Sequence, residues 1–140
     1  MLGGPGRPAA LPAQAAVAVS PFGMNLYITG LERPDAERTA LIARAQEAGV
    51  RWSREELSWA NIQPDTESRH AGWAGYDQHL QQLRDAGIAV IGMLLTTPAW
   101  ASGHKQSEPG WYWYPPSDPT VYGACVAAAL RRWPRQVAVW

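Results

Sequence analysis

Residues 87–102 read GIAVIGMLLTTPAWAS, and the fold follows from how this run is read. Gly87 suits a helix stop, and Ile88–Leu95 then runs almost without a polar residue. A short apolar run entered from a glycine is the pattern of a strand covered on both faces, as in a parallel sheet. The segment before it, GYDQHLQQLRDAG (75–87), places Tyr76, Leu80 and Leu83 on one helical face. The same signal, Ala48-Gly49-Val50, stands 38 residues earlier. It closes a helix in RPDAERTALIARAQEAG (33–49) and opens a strand in VRWSREEL (50–57). Pro34 suits the first helical turn there, Asp35 and Glu37 its positive end, and Gly49 the stop.

Working outward, PFGMNLYI (21–28) reads as a first strand. DPTVYGACVAAALRRW (118–133) reads as a third helix, with Asp118 as N-cap and Pro119 as first helical residue. QVAVW (136–140) reads as a fourth strand. The order β-α-β-α-β-α-β predicts an α/β protein with a parallel sheet, either doubly wound or part of a (β/α)8 barrel. Loop chemistry favours the barrel. A nucleotide-binding open sheet places a Gly-rich turn after its first strand, whereas ITGLERPDAERT holds Gly30 alone. The segments after the second and third strands are long, Ser58–Gly75 and Thr96–Asp118, and barrel ligands bind on the face these segments build.

Composition limits the chemistry. The chain has 140 residues, enough for one sizeable core, with 46% hydrophobic and 17% charged residues. Twelve basic residues balance twelve acidic ones, so no net field favours nucleic acid or an anionic membrane, and neutral ligands are expected. Residues 1–20, rich in Ala, Pro and Gly, read as a flexible leader or a degenerate signal segment, which leaves secretion open; residues 21–140 form the folded part. The single cysteine, Cys125, sits in an apolar helical run and reads as a small core residue. No cofactor and no metal site is expected, because His70, His79 and His104 lack ligand spacing. His79 reads as a helix-face residue.

Five of the eight tryptophans lie where ligands would sit. Trp59, Trp73, Trp100, Trp111 and Trp113 lie in or beside the long segments, with Tyr112 and Tyr114. Aromatic faces in a cleft suit sugars, which offer C–H faces and hydroxyl edges, although stacked bases or peptides fit too; GWYWYPP is also expected to pack on itself. Trp100, just beyond the third strand, is a candidate ligand contact, as is His104 in SGHKQSEPG. Glu55 and Glu56, adjacent in a strand, must face opposite ways, and Asp65 and Glu67 lie in a polar loop, so neither pair forms an acid/base couple.

Three segments carry a resemblance. GVRWSREELSWANIQP is similar to the second-strand region of clan A glycoside hydrolases, family 39 and its relatives. LLTTPAWAS resembles their third-strand end, and YPPSDPTVYGACVAAALRRW their Pro-Pro-x-Asp-Pro helix start. The likeness runs from about Phe22 to Trp140. It implies the N-terminal half of a (β/α)8 barrel and hydrolysis of O-glycosyl bonds in oligo- or polysaccharides. In those families the fourth strand continues into Glu-x-Trp-Asn-Glu-Pro, whose second Glu is the general acid/base, and the nucleophile comes from the seventh strand. Both would lie beyond Trp140, so no catalytic residue is assigned and the isolated chain is expected to be inert. By the same resemblance Arg54 hydrogen-bonds the nucleophile or its neighbours; the plainer reading pairs it with Glu55 or Glu56. Asn25, near the end of the first strand, offers a sugar hydroxyl a partner or caps a loop. Two other readings stand beside this one, a noncatalytic carbohydrate-binding module using the tryptophan-rich loops and an open-sheet α/β protein. A half-barrel is also expected to self-associate through its open strand edges.

Overall fold

The computed structural model describes residues 21–66 and 72–140. The leader expected over 1–20, and Glu67 and His70, lie outside these residues.

The chain is α/β, with three parallel strands. Strand β1 spans Gly23–Met24, β2 Trp52–Ser58 and β3 Ala89–Leu95, in the order β1-β2-β3. β2 and β3 pair in unbroken register from Trp52↔Ala89 to Ser58↔Leu95, and β1 joins through Gly23↔Trp52 and Met24↔Ser53. The order contains no reversal among the described residues.

Two expected strands are shorter than the sequence implies. The first run pairs regularly over two residues only, because Leu26 donates its N–H to the Ser53 hydroxyl and Tyr27 turns to a φ of 52°. The fourth supplies one bridge, Val139 beside Ile91. The Val90 carbonyl accepts from both Ala138 and Val139, while Gly92 donates to Val139 at 2.8 Å, so one rung forms instead of a ladder.

The helices follow their sequence signals closely. α1 spans Asp35–Glu47, with Pro34 just outside it. α2, a single turn over Trp59–Ile62, is capped by Ser58, whose hydroxyl accepts from Asn61. α3 spans Trp73–Asp85, starting two residues before the segment read as helical, and α4 is one turn at Ala99–Ser102. α5 spans Pro119–Arg132, and Asp118 caps it by accepting from the Thr120 N–H at 2.8 Å. α1 and α3 end identically. Gly49 and Gly87 take φ of 77° and 70°, and Val50 and Ile88 donate back to Ala45 and Leu83 at 2.9 Å. This pairing satisfies the last helical carbonyls and aims the chain into the next strand.

One face of the sheet makes the core. Leu57 and Val90 pack with Ile42, Leu80, Leu83 and Trp133 from the helices. Along β2, Ser53, Glu55 and Leu57 are buried while Trp52, Arg54, Glu56 and Ser58 are not. β3 was expected to be covered on both sides. Instead Ile91 is 37% exposed, and Met93 and Leu95 on the same side are half-buried, so the second face stands open. A smaller cluster of Trp59, Ala101 and Cys125 lies under the long loops. Burial pushes the Cys125 thiol up to about 12, consistent with a core cysteine rather than a reactive one. No described helix is long and apolar enough to cross a membrane.

Candidate functional site

The carboxyl ends of the strands gather the chain's unusual geometry. Tyr27, after β1, and Thr96, after β3, are the non-glycine residues with positive φ among those described, at 52° and 64°. Such conformations cost about 1–3 kcal/mol each and persist where the surroundings over-determine them, often at binding sites. Thr96 is held by its hydroxyl, 2.7 Å from that of Ser58 and within reach of the Ala60 N–H. The pair clamps the ends of β2 and β3 together. Tyr27 lines an open cleft of about 760 Å³ with Leu31, Arg33, Asn61 and Pro64.

The four residues expected to bind substrate fall into two groups. Asn25 directly follows the Met24–Ser53 pair and is exposed, and Arg54 emerges on the open face of β2. Arg54 lies 3.5 Å from Glu56, with both side chains about one-third exposed, and its Nε is 2.6 Å from the Met93 sulfur. The pairing with Glu56 is the plainer of the two expected roles. Trp100 and His104 belong to the loop after β3. Trp100 is half-buried, meets Trp59 edge-on at 5.6 Å, and donates its indole N–H to the Gln63 carbonyl at 2.9 Å. It therefore ties the loop after β3 to the loop after β2. His104 is more open: its ring stacks on Tyr114 at 3.7 Å, and Nδ1 lies 2.9 Å from a Glu108 carboxylate oxygen. No hydrogen bond or ion pair joins these two groups among the described residues.

The two glutamates of β2 diverge. Glu56 faces the open side, whereas Glu55 is fully buried and accepts from the Thr29 N–H and hydroxyl, both at 3.0 Å, and from the Ser53 hydroxyl. Burial raises the Glu55 carboxyl above its ordinary range against those hydrogen bonds. Beside it, Arg38 is buried and donates to the carbonyls of Ile28, Gly30 and Arg33 while pairing with Asp35. One guanidinium thus fixes the loop that shapes the cleft. His79 is buried on the inward side of α3, and desolvation, then the charge of Arg38, lowers its pKa.

The tryptophan-rich segments divide by depth. Trp59 and Trp73 are buried, Trp111 is half-buried, and Trp113 is 66% exposed. Within GWYWYPP, Tyr112 meets its neighbours Trp111 at 5.4 Å and Trp113 at 4.9 Å, but none of the three is buried, so the segment does not enclose its own aromatics. Tyr27, Asn61 and Glu108 were not singled out from sequence. Only Glu108, four residues after His104, carried a readable signal.

No family model matches the sequence, and no curated protein does. A solved family 39 glycoside hydrolase from the gut symbiont Bacteroides cellulosilyticus WH2 superposes with a TM-score of 0.56 at 18% identity. The match covers 76% of this chain and 22% of that one, so the chain spans about a fifth of the length of the structure it matches. At that identity the likeness defines the fold, an α/β architecture of the kind found in a glycoside hydrolase.

Proposed function

We propose that the chain is the N-terminal half of a (β/α)8 glycoside hydrolase that cleaves O-glycosyl bonds in oligo- or polysaccharides. The observation that carries this reading is the fold likeness to a family 39 enzyme, reached by a chain whose three sequence segments resemble that family in order. The sequential parallel strands and the cleft at their carboxyl ends support it, because barrel enzymes bind ligands there. Arg54 would orient a carboxylate supplied by later strands, as a guanidinium fixed beside an acid keeps it ionised and aimed. Asn25 would meet a sugar hydroxyl at the same face.

Alone, the chain is inert under this reading. Retaining hydrolysis needs two carboxyl groups about 5–5.5 Å apart, one to protonate the leaving oxygen and one to attack the anomeric carbon. Glu56 is the one carboxylate that the described strands present on the open face, and it is paired with Arg54. Determining the coding sequence downstream of the Trp140 codon tests the reading. A continuation through Glu-x-Trp-Asn-Glu-Pro is expected; an immediate stop would overturn the half-enzyme assignment. Turnover of aryl glycosides that tracks the purified chain and survives Arg54→Ala would overturn its inertness. The second reading, a noncatalytic carbohydrate-binding module, is favoured by one observation, the open aromatic rings after β3.

A further inference from the structure

We propose that the loop after β3 carries a distinct glycan platform, built from Trp113, Tyr114 and His104, that takes an uncharged oligosaccharide alongside the cleft. The proposal rests on the carbohydrate reading above and says where, and through which atoms, such a chain would be held.

The turn that carries Trp113 is held by backbone hydrogen bonds while the indole stays open. Gly110, at a φ of 71°, starts the single 3-10 turn Trp111–Trp113, and Trp113 donates its N–H back to the Gly110 carbonyl at 2.9 Å. Thr97 donates to the Tyr112 carbonyl at 2.9 Å, pinning the turn to the end of β3. Tyr112 flanks Trp113 at 4.9 Å, yet the indole remains two-thirds exposed. A large ring fixed in that manner loses little freedom when a ligand covers it.

His104 supplies a polar edge of defined sense. Its ring lies within 9° of parallel to Tyr114 at 3.7 Å. Glu108 accepts from the Lys105 N–H at 3.0 Å and lies 2.9 Å from His104 Nδ1. The hydrogen bond from His104, then that from Lys105, holds the Glu108 carboxyl below its ordinary range, so it is an acceptor and Nδ1 must carry the proton. In the neutral ring Nε2 is then a hydrogen-bond acceptor, and it has no partner among the described residues. An exposed apolar ring and a fixed acceptor on one loop match a sugar, whose C–H face covers an aromatic ring while a hydroxyl donates to Nε2. A nucleic acid would need a cationic surround, and Lys105 is the one Lys or Arg between Thr96 and Asp118. The Trp100 hydrogen bond to Gln63 sets the start of this loop beside the segment that carries Pro64 of the cleft.

Titration of the full chain with cellohexaose and with xylohexaose, followed by tryptophan fluorescence and calorimetry, tests the platform. Saturable binding of at least one is expected. Trp113→Ala should weaken it about tenfold, the scale of one aromatic contact. His104→Ala and Glu108→Gln should each weaken it severalfold with unchanged circular dichroism, since Glu108→Gln frees the histidine tautomer without removing the ring. Trp140→Ala should have no effect. Binding untouched by Trp113→Ala and His104→Ala but lost in Tyr27→Ala would overturn the platform and leave carbohydrate binding to the cleft. No saturable response to either sugar would overturn the platform, while the half-enzyme reading is decided separately by the downstream coding sequence.

Discussion

At Glu55 the hydrogen atoms can be counted. The Thr29 hydroxyl has one proton and two acceptors in reach, the Glu55 carboxyl at 3.0 Å and the Glu56 carbonyl at 2.8 Å. Ser53 accepts from the Leu26 N–H and donates to Glu55. If Thr29 gives its proton to the carbonyl, the second contact is satisfied only when Glu55 carries a proton itself. Burial raises its pKa in the same direction. With the folded value above the unfolded one, the stabilising contribution is complete below the unfolded value, near 4.5, and is lost as pH rises through the folded one. Urea unfolding from pH 4 to 8 should therefore show wild type losing stability relative to Glu55→Gln as pH rises. Glu55→Ala should lose about 1–3 kcal/mol by orphaning the Thr29 and Ser53 donors. A Glu55→Gln variant that loses ground to wild type with rising pH would contradict the raised pKa. That Glu55 and Glu56 face opposite ways was legible from strand alternation. Which of them would be buried was not, nor was the burial of Arg38, because its partners are backbone carbonyls that leave no mark in side-chain pattern.

Elements whose ends are set locally were the most legible. Gly49 and Gly87 announce their stops because the left-handed residue each motif needs excludes most side chains, and Asp118-Pro119 announces α5 because the cap and the fixed φ are both local. A Cβ at Gly49 or Gly87 would meet no atom within 4 Å, so replacement by Ala costs backbone conformation alone. Each substitution should lower stability by about 1 kcal/mol in urea melts, and Asn should cost less. The joint between α3 and α5 was not legible, since its partners lie 55 residues apart: Arg132 grips both oxygens of Asp77, and Trp133 donates its indole N–H to the same carboxylate at 2.8 Å. Burial works against the Asp77 carboxylate, but the hydrogen bonds from Arg132 and Trp133 outweigh it and lower its pKa. Asp77→Ala should cost about 1 kcal/mol, chiefly through the unpartnered indole, because the half-exposed Arg132 pair is screened by water. The shortening of the first strand was hidden for a different reason. Tyr27 is a good strand residue by type, and only its tertiary setting forces it into the left-handed region.

For the whole molecule the decisive feature is a sheet finished on one side. Ile91 and Val139 sit side by side on the open face, and Phe22 and Met24 are exposed by the β1 edge. An apolar sheet face with unpaired edges is a template for association. Light scattering after size-exclusion chromatography should show an apparent mass that rises with concentration, and Ile91→Lys with Val139→Lys should suppress the rise. A monomer at every concentration would count against an open face of this kind. The candidate site was legible only in part at this scale: the rim could be located from loop lengths, but the split between Arg54 with Asn25 and Trp100 with His104 depends on how the loops fold back. The strand order has a consequence for biosynthesis. Each strand docks on the one made just before it, β2 on β1, β3 on β2 and Val139 on β3, so none of these strands skips a neighbour. A nascent chain leaving the ribosome can add layer upon layer in the order of translation, growing the sheet at one edge while the β1 edge stays as it was first made.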